Sequence, residues 1–268
     1  MIDLHTHILP QLDDGSSSFE ESVKMAEIAV ADGITKIAAT PHLFRNNYFY
    51  SELSIIEERR KELNSFLVSR KIPLELLSGA EVHLTHNILD QINENRKYLT
   101  INNTSYLFIE LPSDYIFPRI KELFFDVMTE RITPIITHPE RNSVFFRKPE
   151  ILYQLIHMGA MAQLNAGSLT GIYGMGVYRL AVYFLKMNYI HLIGSDAHNS
   201  RSKPPVLSKA VEAASKIIGQ EKASALVEEN PRAIIRNEQL PYYEEPINPI
   251  RERKLRIKIP EFINKLFK

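Results

Sequence analysis

The 268-residue sequence predicts an α/β fold in which a parallel sheet closes into a TIM-like barrel. Three observations carry the prediction. Seven short apolar runs recur along the chain, amphipathic helical patterns separate them, and six of the seven runs deliver a His, Asp or Glu at or just past their ends. Strand-helix alternation favours a parallel sheet. Seven units make a barrel one unit short of the eight-fold form, and such barrels carry their chemistry at the C-terminal ends of the strands.

Ile2-Asp3-Leu4-His5 is the first run. Lys36 to Thr40 is the second, closed by Pro41-His42, and Leu74 to Glu81 is the third. Tyr106 to Glu110, Thr133 to Thr137, Met161 to Asn165 and Tyr189 to Gly194 complete the set. Their length and flanks read as buried strands. Between them, Phe19 to Ala31 follows the cap region Ser16-Ser17-Ser18 and can end at Gly33. Ser51 to Ser69, His86 to Arg96, Arg119 to Glu130, Glu150 to Met158 and Val177 to Met187 are the next helices, and Val206 to Ile218 and Glu221 to Glu229 follow the last strand.

The chain divides at residue 238 into a barrel (1–238) and a proline-interrupted basic extension (239–268). Residues 251–268 hold seven Lys/Arg against two Glu. This segment is expected to pack on the barrel as a solvated tail, with docking to an acidic partner or a membrane surface as the alternative.

Hydrophobic residues make up 44% of the chain, enough for a sizeable core. Lys+Arg and Asp+Glu both total 32, and this balance argues against a general nucleic-acid binder. The absence of cysteine excludes disulfides, thiolate metal sites and a cysteine nucleophile. No apolar run reaches the roughly 20 residues of a transmembrane helix, and no signal-peptide pattern opens the chain, so the expected compartment is the cytoplasm.

The residues at the run ends form a constellation. His5 and His7 stand two apart on an extended segment, so both imidazoles can face one way. Asp13-Asp14-Gly15, Thr40-Pro41-His42, Glu81, Glu110, His138 and Ser195-Asp196-Ala197-His198 all fall at the same rim. Gathering so many imidazoles and carboxylates is costly without cations to balance them. Mixed His/carboxylate ligation suits Zn, Mn or Fe. About nine candidate ligands exceed one ion's needs, which implies two or three metals, a set suited to phosphoryl chemistry. The remaining histidines, His83, His86, His157 and His191, are expected to be structural.

The pattern HTH…DDG…TPH…GAE…E…H…SDAH resembles the polymerase-and-histidinol-phosphatase (PHP) family. "MIDLHTHILPQLDDGS", "ATPH", "SGAEVHL", "THPERN" and "SDAHN" are similar to its protein-tyrosine phosphatases from bacterial capsule and exopolysaccharide loci, over about residues 1–236. The resemblance implies a distorted (β/α)7 barrel with three metal ions, Mn foremost and Fe or Zn as alternatives. His5, His7, Glu81 and Asp196 would hold the first. Glu81 would bridge to the second, completed by Glu110 and His138. Asp14, His42 and His198 would hold the third, the Asp-Gly boundary favouring Asp14 over Asp13. Arg141 matches the family's phosphate-binding arginine. A second clamp falls to Arg201 or Lys203, and the planar guanidinium fork favours Arg201.

The implied activity is hydrolysis of protein phosphotyrosine by a metal-bound hydroxide, without a phosphoenzyme. His42 or His198 is available to protonate the leaving group, and Phe44 to Tyr50, with Arg45, could wall the approach. The implied substrate is an autophosphorylated, membrane-associated bacterial tyrosine kinase that controls capsule or exopolysaccharide synthesis. The alternatives are a histidinol-phosphate or other small-molecule phosphatase on the same fold, and a metal-retaining, non-catalytic partner-binding protein.

Overall fold

Seven staves surround a common axis, and two of them are broken. The computed structural model describes residues 1–45 and 53–249. Its strands are β1 (Ile2–Thr6), β2 (Lys36–Ala39), β3 (His42–Leu43), β4 (Glu75–Ser78), β5 (Glu81–His83), β6 (Tyr106–Glu110), β7 (Thr133–Thr137), β8 (Met161–Asn165) and β9 (Leu192–Gly194). All pair in parallel, in the orders β1-β2-β4 and β3-β5-β6-β7-β8-β9. The second predicted run is thus two strands, β2 and β3, interrupted at Thr40-Pro41. The third is β4 and β5, interrupted at Gly79-Ala80. Pro41 has no N–H to give a ladder, but its carbonyl accepts from Glu81 N–H at 3.0 Å, so the stave resumes with His42 and Glu81 in register.

The sheet curls until β9 returns to β1. At the upper end, His7 N–H donates to the Ala197 carbonyl (2.8 Å) and Asp196 N–H to that of His5 (2.9 Å). At the lower end the two strands part. Ile2 N–H donates instead to Val227 O (2.8 Å) and Ile193 N–H to Leu226 O (3.0 Å), so residues 226–227 fill the seam. This is the distortion of the seven-stave barrel.

The helices are α1 (Phe19–Ala31), α2 (Ser54–Ser69), α3 (Ile88–Leu99), α4 (Ile120–Thr129), α5 (Ser143–Arg147), α6 (Pro149–His157), α7 (Ala166–Leu169), α8 (Gly174–Lys186), α9 (Ser208–Ile218), α10 (Gln220–Ala225) and α11 (Glu229–Ile235). Ser18 caps α1, its side chain accepting from Glu21 N–H. The helix expected over 221–229 is replaced by α10 and α11, which break between Leu226 and Glu228, where the chain serves the seam. The seventh strand begins at Leu192 rather than Tyr189, because Tyr189 N–H still closes the end of α8 on Phe184 O (3.0 Å) and pairing with β8 starts only at His191 N–H, which donates to Ala162 O (2.9 Å). No helix among the described residues is long and apolar enough to cross a membrane.

Apolar side chains fill two zones. The larger lies between sheet and helices. The smaller fills the lower barrel with Ile2, Leu4, Leu77, Phe108, Ile135 and Leu192, among others. Burial on both sides explains why β1 and β6 read as continuous buried runs. One irregularity decides the site. The β1–β2 register shifts between Asp3 and Thr6, a bulge that inserts one residue and resets the side-chain phase. Leu4 and His5, adjacent in sequence, therefore both serve the barrel interior, Leu4 in the floor and His5 stacked on Phe108 at 5.2 Å.

The first part of the extension lies across the bottom. Asn230 pairs with Tyr242 N–H and O (3.1 and 2.9 Å), and Ile247 N–H donates to Met187 O (2.9 Å). Residues 239–249 are held against the barrel, while the basic stretch 251–268 lies outside the described residues.

Candidate metal centre

The rim gathers its side chains from the ends of six staves and the first loop. Gly15 folds that loop back on β1 so closely that a Cβ there would meet His7 O at 2.2 Å. Gly194 does the same beneath His5, where a Cβ would meet the His5 Cβ at 2.9 Å. His138 (φ 33°) and Asp196 (φ 52°) adopt left-handed backbone, a conformation costly for non-glycine residues and concentrated at functional sites.

Three groups of potential ligands result, each with its donor atoms within 4.8 Å of one another: His5, His7, Glu81 and Asp196; His7, Asp14, His42 and His198; and His42, Glu81 and Glu110. In the first, His5 Nε2 lies 3.3 Å from Glu81 Oε2 and 3.5 Å from Asp196 Oδ1. His7 Nε2 lies 3.6 and 3.3 Å from the same two atoms. Donors around a tetrahedral ion with ~2.1 Å bonds stand about 3.4 Å apart, so the spacing fits. The buried His5 Nε2, His7 Nε2 and Glu81 Oε2 make no hydrogen bond among the described residues. Buried polar atoms left this way are costly, and a cation would satisfy all three.

The proton positions support the same fit. Gln163 donates its Nε2 to Leu164 O (2.6 Å), so its Oε1 faces His5 Nδ1 at 2.8 Å and must accept. Asp13 Oδ2, 2.6 Å from His7 Nδ1, can only accept once ionised, as can Asp196 O at 2.7 Å from His198 Nδ1. In its neutral form, the one that can ligate a metal, each of these imidazoles therefore carries its proton on Nδ1. The lone pair of Nε2 is left facing the site, as outer partners do around metal-bound histidines.

Electrostatics agree. Burial opposes charge on His5, but Glu81 and Asp196 outweigh it and lift its pKa to about 9. His7 is likewise raised despite burial, chiefly by Asp13. Glu81 and Asp196 sit well below the usual carboxylate range although burial works the other way, because the surrounding imidazoles favour their ionised forms. Asp13 falls to about 2 against its burial, held there by His7. His198 drops to about 4 through burial and the neighbouring His7, and is neutral at pH 7. A field that attracts a proton to Nε2 attracts a metal cation to the same place.

The sequence-predicted residues fall as follows. His5, His7, Asp14, His42, Glu81, Glu110, Asp196 and His198 all enter the three groups. His138 is outside them but places Nε2 2.9 Å from Glu81 Oε1. His42 stands in the third group where His138 is expected. Asp13 supports rather than joins the groups, accepting from His7 Nδ1, His42 N–H and Gly15 N–H. Arg141 donates to Asp196 Oδ2 at 2.7 Å and stacks over Tyr173 at 4.6 Å. Burial disfavours its charge, but Asp196 more than compensates and keeps it protonated.

Arg201 is exposed, whereas Lys203 lines a cavity beside the site. Of the aromatic approach, Phe44 and Arg45 are described and 46–52 are not. Arg45 Nη1 lies 3.0 Å from His42 Nε2 and 3.2 Å from Glu110 Oε1. His83 Nδ1 reaches Glu110 Oε2 at 3.2 Å. His86 packs on Phe117, His157 stacks on Tyr153, and His191 accepts from Ala162 N–H.

Sequence reasoning missed Gln163, Asn165 and Tyr173. Asn165 donates to Asp196 Oδ2 (2.7 Å) and lies 3.3 Å from the Tyr173 hydroxyl. The signals were present: of the seven apolar runs only the sixth, now β8, lacks an ionisable residue at its end, yet it finishes in Asn and buries a Gln.

Comparison with known proteins places these features in a family. Residues 1–236 match the family model for capsular polysaccharide synthesis, CpsB/CapC. The chain is 35% identical over 255 residues to the tyrosine-protein phosphatase YwqE of Bacillus subtilis, covering 95% of this chain and 98% of that one. It superposes with a TM-score of 0.87 and 34% identity on a solved structure, covering 92% of this chain and 99% of that one. YwqE from Bacillus subtilis and CpsB from Streptococcus pneumoniae, the proteins described with that structure, are metal-dependent tyrosine phosphatases. Histidinol phosphate phosphatase from Lactococcus lactis, at 15% identity, shares the fold with a TM-score of 0.52 over 83% of this chain and 94% of that one. The chain belongs to the CpsB/CapC family of capsular polysaccharide synthesis proteins.

Proposed function

We propose that this chain is a metal-dependent protein-tyrosine phosphatase acting on a phosphotyrosine protein of capsular polysaccharide synthesis, with a membrane-associated, autophosphorylating tyrosine kinase as its substrate. The observation that carries this reading is the convergence of His5 and His7, each protonated on Nδ1, upon Glu81 and Asp196 beside Arg141. Three ions are proposed, Mn foremost. His5, His7, Glu81 and Asp196 hold one. Asp14, His42 and His198 hold another, and Glu81 and Glu110 with His42 or His138 hold the third. Bound divalent ions supply Lewis acidity toward the phosphoryl oxygens.

The chain's own groups do the rest. Arg141 keeps its charge, has one nitrogen committed to Asp196, and retains further N–H donors for phosphoryl oxygens. Tyr173 beneath the guanidinium fixes its plane. Lys203, which lines the cavity beside the site, is the proposed second clamp in place of the exposed Arg201. A phenolate leaves with a pKa near ~10, so phosphotyrosine needs less help from a general acid than an alkyl phosphate does. With no cysteine in the chain, no thiophosphate intermediate can form.

The test is a substrate panel on protein stripped with chelator and reloaded with Mn, Fe or Zn. Phosphotyrosyl peptide turnover should vanish on stripping and return on reloading, with histidinol phosphate a poor substrate. Chelator-resistant turnover would refute the metal centre. Preference for histidinol phosphate would replace the protein substrate with a small one. Metal binding without any turnover would leave a partner-binding role.

A further inference from the structure

Next to the Arg141–Asp196 pair lies a cavity of about 360 Å³, within the roughly 300–1,000 Å³ range of ligand pockets. Asn165, Tyr173 and Ser195 belong both to its wall and to the surroundings of that pair. Lys203, Lys209, Ile172 and Val206 also line it. Neither ammonium forms an ion pair among the described residues. Lys209 stands in the first turn of α9, where a positive charge opposes the helix dipole. The nearby Asp32 carboxylate is occupied by Leu207 N–H and Ser208 N–H. The chain as a whole has no net charge, so two unpaired cations in one wall are a local feature rather than a reflection of composition.

We infer that this cavity receives the residue beside the phosphotyrosine and selects an anionic side chain there through Lys209. The inference rests on the phosphotyrosine reading above. The anion is a carboxylate or a second phosphoryl group, and both match an ammonium group. Lys209 sets preference, not chemistry, because it touches none of the proposed ligands.

The experiment uses the metal-loaded full chain and phosphotyrosyl peptides that differ at one flanking position, bearing Glu, Gln or phosphoserine. p-Nitrophenyl phosphate, which has no flanking residue, is the reference. At one flanking position Glu should exceed Gln in kcat/KM by about five-fold, the upper range of an exposed charge pair. Lys209→Gln should bring the ratio to about one, and Lys209→Glu should invert it. Turnover of p-nitrophenyl phosphate should stay unchanged in both. Phosphoserine outperforming Glu with the same Lys209 dependence assigns the phosphoryl source, and the reverse order assigns the carboxylate. Equal turnover of Glu and Gln peptides at every position, or a ratio untouched by Lys209→Gln, overturns the inference while leaving the phosphatase intact. Failure to hydrolyse any phosphotyrosyl peptide while p-nitrophenyl phosphate is cleaved overturns the underlying reading, and this inference falls with it.

Discussion

The upper and lower halves of the barrel interior are built by the same strands and solve opposite problems. The lower half is filled by Ile2, Leu4, Phe108, Ile135 and Leu192, side chains that need only one another. The upper half buries His5, His7, His42, Glu81 and Asp196 at 2% exposure or less. Such groups are stable inside a protein only when paired or coordinated. Phe108 under His5 is the boundary between the two. The floor is self-sufficient and gives the rim a fixed base, whereas the rim leaves His5 Nε2, His7 Nε2 and Glu81 Oε2 without a hydrogen bond among the described residues. Damage to the rim should cost chemistry, and damage to the floor should cost stability.

The sharpest way to break this division is at Glu81, which is 0% exposed and present in two of the potential ligand groups. Glu81→Gln keeps the shape and removes the charge. Phosphatase activity should fall at least about 10³-fold, the scale of central catalytic groups, and metal content measured on the purified protein should fall with it. Retained metal and activity would move the site away from Glu81.

Arg141→Ala tests the layer above the ligands. kcat should drop about 10²- to 10³-fold, as on loss of one preorganised donor, with bound metal unchanged. Parallel loss of metal would make Arg141 a support for Asp196 instead.

In the floor, Leu192→Ala should cost roughly 2–5 kcal/mol in urea unfolding, with kcat per folded molecule preserved. A selective loss of kcat at unchanged stability would show the halves to be coupled.

The floor side also has an acid-sensitive element. His191 has its pKa pushed down to about 4 by burial, and its Nδ1 accepts from Ala162 N–H, which a protonated ring cannot do. The unfolded chain takes up the proton near ~6.5. Stability contributed by neutral His191 is therefore complete above pH 6.5 and declines as pH falls toward 4, by about 3 kcal/mol in all. Unfolding curves on metal-free protein at several pH values should show this slope, and His191→Gln should flatten it. An unchanged slope would assign the acid sensitivity to the rim.

Much of the fold and site was legible because the signals are local. Apolar runs separated by amphipathic stretches specify strands and helices, and the histidines and carboxylates of the rim follow from where runs end. Three features were not legible. Gln163 and Asn165 are polar but not ionisable, so their role depends on His5 and Asp196 being close by, 158 and 31 residues away. Asp14 falls in a group with the imidazoles of His7, His42 and His198, whereas Asp13 accepts from the Nδ1 of His7. Adjacent residues in a loop carry no such information. Arg201 was favoured over Lys203 for its chemistry, but loop direction leaves Arg201 in solvent and turns Lys203 to the cavity.

The HTH motif marks the limit most clearly. By itself the sequence determined that His5 and His7 share a face, because side chains alternate along an extended chain. It also determined that they close the first strand of a barrel. It could not determine which face. Strict alternation would set His5 opposite Leu4, outside the barrel. Only the bulge in the β1–β2 register turns His5 and His7 inward above Leu4. That bulge exists because β1 must pair with β2 on one side and with residues 196–197 and 226–227 on the other. Pairing across such separations is a property of the closed barrel, not of any local stretch of residues.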